Sequence, residues 1–111
     1  QRAWLVASAS GHEGWGMTLS EAGACATPAV ATRIPGHVDA VADGDGASLV
    51  GADASPEQMA SAIVAMVSDP GRRRAMEVGA LAHASRFTWG ATAAGIMRVI
   101  AAEAARRRRR G

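Results

Sequence analysis

The order of apolar and polar positions divides the chain into short strand-like runs followed by longer helical stretches. Residues 3–7 (AWLVA) form a continuous apolar run bounded by Ser8, Ser10 and Gly11. Such a run, apolar on both faces, predicts a strand buried on two sides, as in a parallel sheet. A glycine-rich turn over residues 11–16 follows, and then a helix from about Thr18 to Ala26, ended by Thr27-Pro28. Residues 29–32 (AVAT) predict a second strand, and Pro35-Gly36 opens a loop. The DGDG of residues 43–46 marks a tight turn before a third, very short strand over 48–50.

The second half is helical. Ser55-Pro56-Glu57 has the form of a helix start, with Ser as N-cap and Pro at the first helical position. Met59, Ile63, Met66 and Val67 then share one face. Asp69-Pro70 breaks this helix and begins another, whose inner face carries Met76, Ala80, Ala84 and Phe87. A last helix runs from about Thr88 through Ile96, Val99 and Ile100 into a run of arginines.

Strands that alternate with helices point to an α/β fold with a parallel sheet. Three strands are too few for a complete one. The first strand should be interior, with a neighbour on each side, and this chain can fill only one of them. The predicted architecture is therefore the C-terminal half of a Rossmann-like doubly wound parallel sheet, with about three strands plus C-terminal helices. The chain also opens at Gln1, without a Met, and runs at once into a strand, which reads as a cut through something larger.

Composition sharpens this picture. The length of 111 residues is that of one small domain. Hydrophobic residues make up 49% of it, but half of them are alanine, so the core is thin. The charged fraction of 20% and the clear apolar runs exclude disorder over most of the length. No apolar stretch approaches the ~20 residues of a membrane span. The formal charge of +2 comes from Arg106 to Arg110, and without that run the balance is −3. A mildly acidic body argues against a basic nucleic-acid-binding face. Cys25 is the only cysteine, which excludes an internal disulfide and a cysteine zinc cluster.

The chemistry concentrates in residues 13–21, EGWGMTLSE. Two glycines stand in the turn between a strand and a helix. A helix N-terminus offers unpaired N–H groups and the positive end of the helix dipole, a natural place for a phosphate. Gly14 and Gly16 let a ligand approach the backbone closely. Carboxylates at Glu13 and Glu21 could each accept hydrogen bonds from sugar or ribose hydroxyls. Thr18-x-x-Glu21 is equally a capping box, which would satisfy two N–H groups with no ligand involved.

The stretch from Leu5 to Val50 resembles the donor-binding half of the C-terminal domain of glycosyltransferase family 4, of the GT-B fold. The resemblance rests on the E-x7-E acids Glu13 and Glu21, the Gly14-Trp15-Gly16 between them, and the strand entry at Thr27-Pro28. It continues in residues 36–41 (GHVDAV), residues 43–50 (DGDGASLV), Asp69-Pro70 and the Phe87-Thr88-Trp89 ending. It implies that residues 1–105 are part of a GT-B nucleotide-sugar-binding domain and that 106–111 are an Arg-rich tail. It further implies a retaining transfer from a nucleotide-diphosphate sugar, without a cofactor or an essential metal. Glu13 would be the acid at the transferred sugar. Gly14, Trp15 and Gly16, with Met17, Thr18 and Leu19, would cradle the sugar and diphosphate, and Glu21 would bind the ribose. The diphosphate-binding Arg and Lys of the family lie earlier in the domain, and this chain has no lysine. The partners implied are the nucleotide-sugar donor, an N-terminal acceptor domain and the first half of the donor domain. A cytoplasmic location follows, with Arg106 to Arg110 available for peripheral contact with a membrane surface. Ala26 stands where the family often has Gly at the helix end, and Asp39 where Glu is frequent.

The other candidates read more plainly. His12, His37 and His83 have no metal-ligand spacing. His37 falls in a loop that faces the site, and His83 packs on a helix or lies at the surface. Trp15 serves either as a wedge in the turn or as a sugar contact. Cys25 reads as a small buried residue, and Arg72 to Arg74 as a solvated helix face. Two rival functions remain: a non-catalytic module whose Arg tail engages an anionic partner, and another GT-B-like enzyme, an epimerase or a phosphorylase.

Overall fold

A computed structural model describes residues 3–109. The elements run β1 (Val6–Ser8), α1 (Met17–Ala24), β2 (Ala29–Thr32), α2 (Pro35–Ala40), β3 (Ala47–Val50), α3 (Pro56–Val67), α4 (Pro70–Ala84) and α5 (Trp89–Arg108). The strands form one parallel sheet in the order β1-β2-β3, with Val6 opposite Ala29 and Ala29 opposite Ala47. The α/β reading is thus confirmed. Among the described residues β1 is paired on one side only, so the second neighbour predicted for it is not supplied here.

The period of two along a strand explains the core. Ala29 and Ala31 of β2 face one side, where they meet Leu19 of α1, Ala40 of α2 and Val41. Val30 faces the other, where it meets Met66 of α3 and Met76 of α4. Leu5 and Val6 likewise divide between the two clusters. Small alanines on β2 let α1 and α2 lie close to the sheet. Larger methionines fill the opposite face.

Helix α3 follows its sequence closely. Ser55 Oγ accepts from the Gln58 N–H at 3.3 Å, while Gln58 Oε1 accepts from the Ser55 N–H at 2.8 Å. Met66 is buried, and Met59 and Ile63 pack against its cluster as the periodicity predicts. Helix α4 is capped by Asp69 and seats Met76 and Ala80 in the interior. It also crosses the 43–46 turn at touching distance: a Cβ on Gly79 would stand 2.1 Å from the carbonyl oxygen of Asp45. Glycine there is a packing requirement.

Several expectations are corrected. The first strand is shorter and begins at Val6, leaving Trp4 exposed. Pro35-Gly36 begins the six-residue helix α2, not a loop, because Pro at a first helical position supplies the helical φ and lacks only an N–H that would go unpaired anyway. Cys25 is exposed, since it closes α1 one residue past that helix's inward face. Of Arg72 to Arg74, Arg73 is not solvated. Its guanidinium lies 4.6 Å from the Trp4 ring centroid, and its Nη1 donates to the Val67 carbonyl. Phe87 lies beyond the end of α4 and is half-exposed, so it is not part of that helix's inner face. Helix α5 buries no residue: Ile96, Val99 and Ile100 are 55–70% exposed. Arg106, Arg107 and Arg108 belong to this helix and Arg109 caps it, while Arg110 lies outside the described residues.

Candidate functional site

Strand β1 ends at Ser8, and the chain turns through residues 9–16 into α1. In a parallel α/β sheet the carboxyl ends of the strands are where ligands bind. A cleft of about 320 Å³ lies there. It is lined by Ser8, Ser10, Glu13, Trp15, the start of α1 and His37 of α2. Of the predicted site residues, Glu13, Trp15, Gly16, Met17, Thr18 and Leu19 reach this cleft. Gly14 and Glu21 are exposed and do not line it.

The N-terminus of α1 decides what the cleft can bind. Gly16 is the N-cap, no side chain caps the helix, and its first turn holds no acidic residue. The positive end of the dipole is therefore left uncompensated by the helix itself. The backbone donors divide into two groups. The N–H of Gly16 reaches the Gly36 carbonyl at 3.1 Å, that of Met17 the Trp15 carbonyl at 2.7 Å, and that of Leu19 the Gly16 carbonyl at 3.0 Å. Among the described residues Gly14, Trp15 and Thr18 keep their N–H groups without a backbone acceptor. The Leu19 side chain sits in the core, so it serves the cleft only as backbone.

The two acids are held differently. Glu13 is half-buried, and its Oε1 accepts from Ser10 Oγ at 3.1 Å. Glu21 is exposed on α1. The capping-box reading of Thr18 and Glu21 does not hold, because Gly16 and not Thr18 is the N-cap. Glu21 is thereby free of that local role. Trp15 is fixed by its Nε1, which donates to Ser20 Oγ at 3.1 Å, and by an edge-on contact with Phe87 at 5.1 Å. Its wedge role is on view, and it also borders the cleft.

The histidine that sequence reasoning left open is central. His37 is 1% exposed and faces the floor of the cleft. Its Nδ1 donates to the Thr32 carbonyl at 2.8 Å, and its Nε2 lies 3.2 Å from Ser8 Oγ. The signal missed was the helical Pro35 start, which turns His37 inward beside β1 and β2. Gly36 is the neighbouring requirement: a Cβ there would stand 2.4 Å from the Glu13 carbonyl oxygen. His12 and Asp39 are exposed, and His83 packs edge-on against Phe87 at 5.1 Å.

Away from the cleft, Asp43 pairs with Arg33 and accepts from the Leu49 N–H at 3.0 Å. Partial burial pulls its pKa up, but the Leu49 N–H and the Arg33 guanidinium outweigh this and hold it below the usual carboxylate range. Among the described residues no group of three or more His, Cys, Asp or Glu is placed to hold a metal ion. Among the described residues no helix is long and apolar enough to cross a membrane.

Residues 1–83 match the sequence profile of the glycosyl transferases group 1. The chain belongs to this family. Among its curated relatives is a D-inositol 3-phosphate glycosyltransferase from Acidothermus cellulolyticus, 41% identical over 108 residues, covering 96% of this chain and 24% of that protein. A second of the same description, from Kineococcus radiotolerans, is 39% identical over 86% of this chain and 23% of its own length. The sucrose-phosphate synthase of Thermosynechococcus elongatus, a GT-B enzyme, superposes with a TM-score of 0.75 at 25% identity, over 90% of this chain and 25% of that one. This group 1 chain thus spans about a quarter of the length of these relatives. The fold expectation is borne out at this level: the chain is a GT-B-type α/β piece carrying three parallel strands and the helices that follow.

Proposed function

We propose that this chain supplies part of the donor site of a retaining glycosyltransferase that moves a sugar from a nucleotide-diphosphate sugar. The observation that carries the reading is the uncapped N-terminus of α1, opening with Glu13 into a cleft at the end of β1. The N–H groups of Gly14, Trp15 and Thr18, together with the helix dipole, suit the diphosphate. Such preorganised donors would also stabilise the charge that develops on the leaving diphosphate. In this reading Glu13 serves the transferred sugar, and Glu21, exposed farther along α1, serves the ribose hydroxyls. The activity for which these relatives are named makes an inositol phosphate the first acceptor to try.

Calorimetric titration of the full-length enzyme that carries this chain, with UDP and with GDP, tests the reading. One of the two should bind, and Glu21→Ala should weaken it about tenfold, the worth of one charge-assisted hydrogen bond. Unchanged affinity in the variant would remove Glu21 from the site. An absence of binding by the full-length enzyme that carries this chain would remove the donor-site reading itself.

A further inference from the structure

We propose that His37 is a positioning residue for the Glu13 carboxylate and acts through the hydroxyls of Ser8 and Ser10. The inference rests on the donor-site reading of Glu13, and its starting point is a line of polar atoms beneath the cleft. The Thr32 carbonyl can only accept, so Nδ1 of His37 carries the hydrogen that meets it at 2.8 Å. In the neutral ring Nε2 is then the acceptor, and Ser8 Oγ stands 3.2 Å from it. Ser8 Oγ is 3.3 Å from Ser10 Oγ, and Ser10 Oγ donates to Glu13 Oε1 at 3.1 Å. Ser8 has one hydroxyl hydrogen: given to Ser10 it leaves Nε2 facing an oxygen lone pair, and given to Nε2 it leaves the Ser8–Ser10 contact without a hydrogen. The line is therefore hydrogen-bonded from end to end only when it carries one further proton, on Nε2 or on Glu13.

The same elements hold the line at its ends. Thr32 Oγ1 donates to the Ser10 carbonyl at 2.5 Å, so β2 fixes both the histidine ring and the backbone of Ser10. Gly36, beside His37, is packed against the backbone and Cβ of Glu13 more closely than any side chain would allow. Between these anchors the loop faces open space, since an added Cβ at Gly11 or Gly14 would meet nothing within 4 Å. A carboxylate on such a loop has many orientations open to it. The Ser10 bond and the contact with α2 select among them. A histidine serving only to fill the core would leave no reason for two hydroxyls to lead from it to the acid that lines the cleft.

Two measurements test this on the full-length enzyme that carries this chain. The first compares UDP-glucose with UDP, and GDP-mannose with GDP, by calorimetry. Ser10→Ala and His37→Gln should each weaken the sugar nucleotide about tenfold, one hydrogen bond's worth, and leave the matching free diphosphate unchanged. Ser10→Thr, which keeps the hydroxyl, should restore the affinity. Equal losses for both ligands, or none for either, would overturn the proposal. The second reads the nitrogen-15 resonance of His37 Nε2 with no ligand present. Glu13→Gln and Ser10→Ala, both milder than a change at the buried ring, should move it while the backbone shifts of β2 stay in place. An unmoved Nε2 would overturn the linkage. If the full-length enzyme binds neither nucleotide class, the donor-site reading fails, and this spectroscopic arm still decides whether His37 and Glu13 are coupled.

Discussion

Ala26 holds φ at 55°, the only positive value outside glycine among the described residues. It does so because α1 ends in a Schellman turn, with the Thr27 N–H bonded to the Ala22 carbonyl and the Ala26 N–H to the Gly23 carbonyl, each at 2.9 Å. A Cβ in that conformation costs about 1–2 kcal/mol, and glycine's extra freedom in the unfolded chain takes back about 0.5–1. Ala26→Gly should therefore raise stability by roughly 0.5–1 kcal/mol, read as a higher urea midpoint at unchanged slope. A lower midpoint would show that the left-handed strain is carried elsewhere. The sequence shows the alanine at this helix end. It does not show His37, Arg73 or Cys25 in their true settings. Their burial depends on where a helix begins or stops to within a residue or two, which is where local pattern is weakest.

At the scale of elements, β2 and α3 were the most legible. A run of four residues without charge fits only the middle of the sheet, and all of Ala29–Thr32 is buried. The start of α3 carries its own mechanism in Ser55, Pro56 and Gln58. Ser55→Ala should cost about 1 kcal/mol, measured by thermal or urea unfolding, because one side-chain acceptor is lost at the N-cap. A cost near zero would mean that water replaces the hydroxyl. Helix α2 was not legible, since six residues that open on a Pro-Gly pair have too little periodicity to declare a helix. Its contribution comes from tertiary packing, through Ala40 beside the sheet and Gly36 beneath Glu13. The site was legible as the turn between β1 and α1. The support beneath it was not, because Ser8, Thr32 and His37 come together from three separate elements.

The whole molecule divides unevenly. Both faces of the three-stranded sheet are covered by helices, and the two core clusters lie within residues 5–76. The parallel architecture could be read from the order of elements, and so could the unfilled side of β1. The shape could not, because the apolar positions of α5 look like those of a packed helix. Yet α5 is 20 residues long, has no buried residue, and contributes to a particle extended over 61 × 28 × 18 Å. Its support is local. Thr88 caps it through the Ala91 N–H at 3.1 Å, alanines supply propensity, and Glu103 pairs with Arg106 and Arg107 near its end.

A helix sustained this way answers to temperature by helix–coil statistics and not by the all-or-none law of a core. On heating, far-ultraviolet ellipticity should fall gradually from the start, ahead of the sigmoidal loss of the sheet and its helices. Ending the chain at Thr88 should flatten that early slope and leave the midpoint of the main transition in place. A single sharp transition that carried all the helix signal would mean that α5 melts with the core. The expected outcome is two thermal phases in this chain: one cooperative body bearing the cleft, and one helix that unwinds from its ends on its own terms.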